Sequence, residues 1–339
     1  MTSETSGTAP LDRLARPLRD LRISVTDRCN FRCPYCMPRE MFGADWPFLD
    51  RAEILTFEEI DRLAGVFVGI GVSKLRLTGG EPLMRRDLTR LVERLARHPV
   101  DLAMTTNGIL LPRYAPGLRA AGLGRVTVSL DALDEAVFQR MSDAPATAAA
   151  VLAGIDAAER AGFSPLKINC VVLRGVNEDQ VLPLVERFRR SGHVLRFIEF
   201  MDVGTTNGWR RDQVVPASEL RARIGPVHAL EPLPASYPGE VARRWRLADG
   251  SLELGFIASV TEPFCGGCTR ARLSAEGKLF TCLFAAHGQD LRAPLRAGAD
   301  DAELARRLRS IWGARGDRYS ELRSRTASGE RVEMSYLGG

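Results

Sequence analysis

Three cysteines, Cys29, Cys33 and Cys36, fall within eight residues, and no other cysteine or histidine lies close to them in sequence. A structural zinc ion takes four ligands, so a zinc knuckle, which is the alternative, lacks a fourth one here. An iron–sulfur cluster of four irons normally has four thiolate ligands, and three leave one iron open. An open coordination position can bind and activate a small molecule, as the free position of a catalytic zinc does. The spacing therefore predicts a cluster that coordinates its own cofactor or substrate.

A second set of three cysteines lies near the C-terminus. Cys265 and Cys268 precede a predicted hairpin with a Glu276-Gly277 turn, and Cys282 follows it. We interpret this set as a second iron–sulfur site. The alternative is a structural zinc site completed by Cys170 or His287. Cys170 itself lies among apolar residues of a predicted strand, and we expect it to pack as core.

The elements that must position these cysteines alternate between strand and helix. Such alternation predicts βαβ units and a parallel sheet, and six units make most of a barrel with its reactive groups at the carboxyl ends of the strands. The predicted strands are 21–26, 74–77, 101–105, 125–130, 166–173 and 194–201. The predicted helices include 57–67, 86–97, 148–161 and 179–190.

Polar residues share one face of the predicted strands, because residues two apart point the same way. Arg22 alternates with leucine and isoleucine in the first strand, and Lys74 and Arg76 do so in the second. The apolar faces should pack against helices, which leaves a cationic lumen suited to an anionic ligand. A sheet with one wet face is the alternative. Arg270 and Arg272 likewise share a strand face beside the second cysteine set, and their planar guanidinium groups suit phosphate oxygens.

The strand–helix rhythm stops near Met201, and proline and glycine punctuate the region that follows. Residues 242–282 then have a β-rich pattern. We predict three segments: a flexible N-terminal segment over 1–18, a partial barrel over 19–225, and an extension over 226–339 that carries the second cysteine set.

Composition limits the class of protein. Charged residues make up 26% of the 339 residues and hydrophobic ones 45%, and no apolar run is long enough to cross a bilayer. The polar N-terminus has no signal-peptide core, so we expect a cytoplasmic protein whose seven cysteines stay reduced. The net charge of +5 suits an anionic small substrate, and no basic arm for nucleic acid occurs.

The first cysteine set resembles the signature of the radical S-adenosylmethionine (SAM) enzymes, because it follows a first strand and has Tyr35 before its last cysteine. In that family the open iron is chelated by SAM, and an electron from the cluster cleaves SAM to a 5'-deoxyadenosyl radical. The segment Gly79-Gly80-Glu81-Pro82 after the second strand matches the family's GGEP motif. The resemblance implies that these residues contact SAM. It assigns further SAM contacts to Tyr35, Ser129 and Met201.

The second cysteine set narrows the resemblance to the GTP 3',8-cyclase family of molybdenum cofactor biosynthesis. The segments that carry it, from about Leu21 to the last residue, are RISVTDRCNFRCPYCMP, LTGGEPLMRRDL, TTNG, VSLD, RFIEFMDVGTTNGW, PFCGGCTRARL and the closing MSYLGG. The family's Gly-Gly tail reaches toward the active site. The fold implied is an incomplete (βα)6 TIM-like barrel of α/β class with a β-rich extension.

The resemblance also implies the site residues and the chemistry. Two [4Fe-4S] clusters are bound by Cys29, Cys33 and Cys36 and by Cys265, Cys268 and Cys282. The radical abstracts hydrogen from C3' of GTP, the carbon radical adds to C8, and the product is 3',8-cyclo-7,8-dihydro-GTP, which makes the enzyme a lyase. Substrate contacts fall to Arg22, Lys74, Arg76, Thr105, Lys167, Arg196, Arg270 and Arg272, and the last two also have a catalytic role.

The expected partners are a flavodoxin- or ferredoxin-like reductant and, downstream, cyclic pyranopterin monophosphate synthase; a homodimer is left open, and neither nucleic acid nor a membrane is expected. Two other functions remain as alternatives. One is a peptide-modifying radical SAM enzyme with an auxiliary cluster, although such enzymes usually have more cysteines in the extension. The other is a zinc-containing protein that binds nucleic acid, although no RNA- or DNA-binding module occurs in the sequence.

Overall fold

The computed structural model describes residues 9–323 and 331–338. The strands of the described residues are β1 (Asp20–Ser24), β2 (Lys74–Thr78), β3 (Asp101–Thr106), β4 (Arg125–Ser129), β5 (Lys167–Val172), β6 (Val194–Glu199), β7 (Leu230–Pro232), β8 (Arg243–Leu247), β9 (Glu253–Ile257), β10 (Arg270–Leu273), β11 (Lys278–Phe280) and β12 (Gln289–Asp290). The helices are α1 (Phe57–Gly69), α2 (Leu88–Leu95), α3 (Leu111–Ala120), α4 (Glu135–Ser142), α5 (Ala148–Arg160), α6 (Val181–Phe188), α7 (Ala217–Ile224), α8 (Arg292–Arg296), α9 (Asp301–Gly313), α10 (Tyr319–Leu322) and α11 (Met334–Leu337).

One sheet contains all of these strands, in the order β12-β11-β10-β1-β2-β3-β4-β5-β6-β9-β8-β7. The six strands β1 to β6 are parallel and lie side by side in the sheet in the order of the chain, as the alternation predicted. The extension adds a parallel strand at each side, β10 beside β1 and β9 beside β6. The expected α/β partial barrel is therefore confirmed, and the extension continues its sheet in both directions.

The helices form where the sequence offers a cap and an apolar face. In α1, the Thr56 side chain accepts from the Glu59 amide and the Glu59 carboxylate accepts from the Thr56 amide, so two free helix donors are satisfied. Ile60, Leu63 and Phe67 share the face that α1 buries completely. Leu21 and Ile23 of β1 are also fully buried, and their alternation with Arg22 directs the arginine to the other face, as predicted.

The residues near the N-terminus differ from the prediction of a flexible segment. Residues 1–8 of that segment lie outside the described residues, but residues 9–18 are packed. Asp12, Arg16 and Leu18 are each less than a tenth exposed, and Leu11 pairs with Pro17 in a β-bridge. These residues are packed because ion pairs and hydrogen bonds join them to the extension, and local sequence patterns do not predict such distant contacts.

Other boundaries differ by a few residues. β6 ends at Glu199, earlier than the predicted end at Met201, so Met201 lies in the following loop. Helices α3 and α4 were not predicted. The sheet runs without a break across the predicted domain boundary near residue 225, and that boundary stays a prediction. No helix in the described ranges is long and apolar enough to span a membrane.

Candidate active site

The first cysteine trio (Cys29, Cys33 and Cys36) lies on the loop that leaves the carboxyl end of β1. The Cys36 amide donates to the Cys33 carbonyl at 2.9 Å, which makes a tight turn. Arg32 braces this loop from within, because its guanidinium donates to the carbonyls of Cys29 and Phe42, both at 2.7 Å. These hydrogen bonds fix the backbone of the loop that carries the three cysteines.

The thiols of the first trio are difficult to ionise. Burial raises the pKa of Cys29 to about 12 and also raises the pKa values of Cys33 and Cys36. Repulsion adds to the effect, from Glu81 at Cys29, from Asp131 and the other two cysteines at Cys33, and from Cys29 at Cys36. Metal binding is what converts buried thiols of this kind to thiolates.

The GGEP segment presses against the first trio's loop. A Cβ on Gly80 would lie 2.3 Å from the Arg28 carbonyl oxygen, and one on Gly79 would lie 2.6 Å from that of Thr26. The amides of Gly80 and Glu81 donate to the carbonyls of Thr26 and Arg28, both at 2.8 Å. The glycines permit a close backbone approach, and within the described residues the segment they approach is the cysteine loop.

Glu81 is 1% exposed, and its carboxylate has internal partners. It accepts from the Thr106 hydroxyl at 2.7 Å and from the Asn107 and Leu83 amides at 2.8 and 3.1 Å. Burial raises the pKa of Glu81 to about 7, although these hydrogen bonds oppose the rise. Glu81 therefore ties the carboxyl ends of β2 and β3 together, and its contact with SAM stays a prediction.

Tyr35 turns its side chain into the protein. Its hydroxyl donates to Asp131 Oδ2 at 2.7 Å, and Asp131 Oδ1 accepts from the Val171 amide at 2.8 Å. Burial raises the pKa of Asp131 to about 6. Sequence reasoning missed Asp131 as a site residue, although it ends the VSLD segment. Ser129, the last residue of β4, pairs in register with Asn169 of β5.

The second cysteine trio (Cys265, Cys268 and Cys282) lies at the opposite end of the barrel. Cys265 and Cys268 precede β10, which runs parallel to β1, and Cys282 follows the antiparallel β11. All three cysteines therefore lie at the amino ends of the barrel strands, while the first trio lies at the carboxyl ends. The Glu276-Gly277 hairpin that brings Cys282 back is confirmed.

Arg315 holds the second trio in place and was not predicted from the sequence. Its guanidinium donates to the Cys268 carbonyl at 2.8 Å, the Cys268 sulfur at 3.2 Å and the Thr281 carbonyl at 3.0 Å. Asp12 accepts from Arg315 at 3.1 Å and from Arg16 Nε at 2.6 Å. Arg16 in turn donates to the Cys265 carbonyl at 2.8 Å.

These cations act on the thiol as well as on the backbone. Burial alone would raise the pKa of Cys268, but Arg270 and Arg315 outweigh it and lower that pKa to about 7. Cys282 differs, because burial raises its pKa to about 11. Cys170 is fully buried in the hydrophobic core, as predicted.

A cavity of about 830 Å³ fills the lumen and reaches the second trio. It brings together most residues that the sequence assigned to substrate binding, together with Met201. Its wall contains Arg22, Lys74, Arg76, Thr105, Arg196, Arg270 and Arg272, together with Cys265, Cys268 and Cys282. Gly79, Gly80, Glu81, Tyr35 and Ser129 belong instead to the carboxyl end, near the first trio.

The cavity holds cations with few opposing charges. Burial lowers the pKa of Arg22 well below its usual value, and repulsion from Arg272 and Arg76 adds to this. Among the described residues, the buried Nε of Arg22 has no hydrogen-bond partner. Arg76 donates to the hydroxyls of Thr105 and Thr127 at 3.0 and 3.1 Å, which fixes its guanidinium. A buried donor without a partner in a cationic cavity is suited to an anion.

The side of the lumen formed by β4 to β6 is cationic as well. Burial and then Arg196 lower the pKa of Lys167 to about 8, and burial lowers that of Arg196 to about 9. Arg125, which lines the cavity, was missed by sequence reasoning. The signal was present, because Arg125 has the same strand parity as Thr127 and Ser129.

The C-terminal residues reach this cavity, as the family tail implies. The Gly338 carbonyl accepts from Arg272 Nη1 at 2.9 Å, and Gly339 lies outside the described residues. Asp202, just after β6, anchors the segment that leads there. It accepts from Arg331 at 3.0 Å, Arg323 at 2.9 Å and the Tyr319 hydroxyl at 2.5 Å.

Comparisons with known proteins agree with this architecture. Residues 23–188 match the model of the Radical SAM superfamily, and residues 193–321 match that of Molybdenum Cofactor Synthesis C. The GTP 3',8-cyclase of Acidothermus cellulolyticus is 55% identical, with 97% of this chain and 98% of the relative covered. That of Xanthomonas axonopodis pv. citri is 56% identical, covering 98% and 100%. That of Staphylococcus epidermidis is 46% identical, covering 97% and 98%.

Solved structures confirm the fold. The crystal structure of Streptococcus suis SuiB bound to S-adenosylmethionine matches with a TM-score of 0.63 at 15% identity, covering 95% of this chain and 77% of that one. Sequence identity of 15% establishes the fold alone. Identity of 46–56% to the GTP 3',8-cyclases over nearly the whole chain also establishes the family. The chain therefore belongs to the GTP 3',8-cyclase family of the radical SAM superfamily.

Proposed function

We propose that this chain is a radical SAM lyase that converts GTP to 3',8-cyclo-7,8-dihydro-GTP in the first step of molybdenum cofactor biosynthesis. The observation that carries the proposal is the cationic lumen between two cysteine trios. One trio lies at each end of the barrel strands, and the cavity between them is large enough for a nucleotide.

The donor sets fit two [4Fe-4S] clusters. Each trio offers thiols alone, and three thiols leave one iron of a cluster open. Among the described residues, no three His, Cys, Asp or Glu side chains converge on one ion position, and the thiols of a trio would each bind a different iron. When bound, the clusters and SAM supply the radical chemistry that the side chains of the protein lack.

The protein's own residues bind and orient the nucleotide. Arg22, Arg76 and Arg196 would donate charge-assisted hydrogen bonds to phosphate oxygens, with Lys74 and Lys167 as further cationic contacts. Their mutual repulsion and burial disfavour the charged state when the lumen holds no anion. An anion relieves that repulsion, so the lumen favours a highly charged ligand over a neutral one.

Arg270 and Arg272 lie between the second cysteine trio and the other cations of the lumen. Arg270 is 3.5 Å from the Cys268 sulfur, and Arg272 donates to the Gly338 carbonyl. They would therefore hold the substrate and the tail beside the second cluster. A guanine on the open iron of that cluster and phosphates on the lumen cations would fix the ribose between the two trios.

The test is anaerobic. The iron-loaded protein is mixed with a reductant and SAM, and 5'-deoxyadenosine is quantified with GTP, with ATP and without nucleotide. Stimulation by GTP alone is expected, followed by identification of the cyclised product. Cleavage that is indifferent to nucleotide would contradict the cyclase proposal and favour a peptide substrate. Stoichiometric zinc without iron in the isolated protein would favour the zinc alternative.

Two variants sharpen this test. Arg270→Ala and Arg272→Ala should retain iron at both trios but lose GTP-dependent SAM cleavage. The matched control is Arg246→Ala, because Arg246 lies on the extension but is exposed, and its side chain pairs with Glu231 alone among the described residues. Full activity of both lumen variants would remove these arginines from the substrate site.

The partners and compartment are part of the same proposal. A flavodoxin- or ferredoxin-like protein would supply electrons, and cyclic pyranopterin monophosphate synthase would consume the product. All seven cysteines lie within the described residues as free thiols, which supports the reducing cytoplasm as the site of action. Whether the protein forms a homodimer is tested by its mass in solution.

A further inference from the structure

A loop of the extension closes the open side of the barrel. We call residues 233–242, which connect β7 to β8, the strap. β7 to β9 form one end of the sheet and β10 to β12 the other, so a gap separates the two ends. At Gly239 the strap contacts the segment just before β10. A Cβ there would lie 2.8 Å from the Gly267 carbonyl oxygen and 3.1 Å from the Thr269 methyl group.

The strap carries Tyr237 to the wall of the lumen. The Ser236 amide donates to Glu240 Oε2 at 2.6 Å, and the Glu240 amide donates to the Tyr237 carbonyl at 3.3 Å, which makes a compact turn. Lys74 Nζ lies 5.2 Å from the centre of the Tyr237 ring and 3.5 Å from its hydroxyl oxygen. The tyrosine lines the same cavity as the lumen arginines.

The position of Lys74 shows which part of the lumen Tyr237 faces. Arg270 of β10, Asp20 of β1 and Lys74 of β2 are neighbours in register, so two strand spacings, about 10 Å, separate Arg270 from Lys74. The second trio lies next to Arg270. A nucleotide whose base lies on that trio can therefore extend its phosphates away from it, toward Lys74 and Tyr237.

The hydroxyl of Tyr237 is available as a donor there. Lys74 has only donors, so the Tyr237 hydroxyl accepts from it and does not donate to it. Asp20 lies 3.7 Å from the Lys74 ammonium. Burial, followed by Glu240 and Asp20, raises the pKa of Tyr237, so the hydroxyl keeps its proton at neutral pH. Tyr237 as a whole residue is 42% exposed and lines the cavity, so a ligand in the cavity can contact it.

We propose that Tyr237 is a substrate-positioning residue whose hydroxyl donates to the terminal phosphate of the nucleotide, so that the strap selects triphosphates over diphosphates. The inference rests on the proposed function for the identity of the nucleotide. It predicts that the hydroxyl affects binding of GTP and has little effect on binding of GDP, whose shorter chain does not reach it.

The test compares wild type with Tyr237→Phe, which removes only the hydroxyl. Binding of GTP and GDP to the iron-loaded protein is measured by equilibrium dialysis, and KM and kcat for GTP by 5'-deoxyadenosine formation. We expect GTP affinity to fall about tenfold, with KM rising in step, kcat nearly unchanged and GDP affinity unchanged. Tyr114→Phe on α3, away from the lumen, is the matched control.

Gly239→Ala gives a second variant. Its methyl group would meet the Gly267 carbonyl, and the φ of +83° disfavours alanine, so the strap should move and GTP preference should fall in the same direction. Unchanged GTP-over-GDP preference in Tyr237→Phe overturns the inference. Failure of the proposed function would instead appear in the wild type, as SAM cleavage that GTP does not stimulate, while the binding comparison still decides the role of Tyr237.

Discussion

Replacing Arg315 with alanine should prevent iron from binding at the second cysteine trio while the first trio stays intact. Arg315 is the residue that joins three parts of this region. It donates to the Cys268 carbonyl and sulfur, to the Thr281 carbonyl beside Cys282, and to Asp12. Its side chain is 2% exposed and lies over the Trp312 ring at 4.5 Å.

The magnitude follows from these contacts. Alanine would remove the Arg315 donor from two carbonyls, and the Asp12 carboxylate, whose side chain is completely buried, would keep Arg16 as its one cation among the described residues. Breaking a buried ion pair by removing one partner costs about 3–5 kcal/mol. Because the lost contacts surround two of the three cysteines, we expect the cost to appear as disorder of this segment rather than of the whole barrel.

The assay is iron and sulfide analysis of the reconstituted variant, with circular dichroism to check the fold. Iron should fall from about eight to about four per chain, and SAM cleavage without GTP should persist. Arg307→Ala is the control, because Arg307 lies on α9 but is exposed, and within the described ranges its side chain pairs with Glu303 alone. Eight irons and wild-type GTP stimulation in Arg315→Ala would refute the reasoning.

Three further predictions concern the lumen and the tail. Burial lowers the pKa values of Lys74 and Lys167 to about 8, and only their ammonium forms attract phosphate. The affinity for GTP should therefore fall as pH rises through about 8. Calorimetry at pH 7 and 9 checks this, and an equal affinity at both pH values would contradict it. Asp202→Asn removes the carboxylate that anchors the tail, and amide exchange over 331–338 should quicken at least about tenfold while iron content stays unchanged. In Gly338→Ala the new Cβ would clash with the Thr78 hydroxyl, and the φ of +68° disfavours alanine. GTP-dependent SAM cleavage should therefore fall while both clusters are retained. Full activity would show that the tail tolerates displacement.

Local patterns in the sequence were enough to predict the barrel and much of its lumen. Strand parity directed Arg22 and Arg76 inward, because a strand that buries alternate aliphatic residues leaves only one face for charge. Arg125 followed the same rule and was overlooked. The GGEP glycines were correctly expected to allow close approach, but what they approach in the structure, the carbonyls of the cysteine loop, is a tertiary contact that spacing does not encode.

The side chains that hold the second trio in place could not be predicted from the sequence, because they are very distant from it along the chain. Arg16 and Cys265 are 249 positions apart, and Asp12 and Arg315 are 303 apart. A buried ion pair over that distance produces no periodicity, no cap and no turn signal. The N-terminal segment therefore looks like a polar terminus, although residues 9–18 are packed against the extension.

The charge of the lumen favours an anionic ligand, because burial disfavours so many cations unless an anion accompanies them. Arg22, Arg76, Arg196 and Arg272 are all buried or nearly so, and the pKa of each is lowered first by that burial. Asp20 opposes them, and its own pKa is lowered because the attraction of Lys74 and the arginines outweighs burial. Three carboxylates line the cavity, Asp20, Asp101 and Asp317, and they are outnumbered by Lys74 and the arginines there, so a bound polyphosphate would relieve the repulsion among these cations. The same groups that destabilise the empty barrel therefore supply affinity for an anion, and they do so along a wall fixed by strand register rather than by mobile loops.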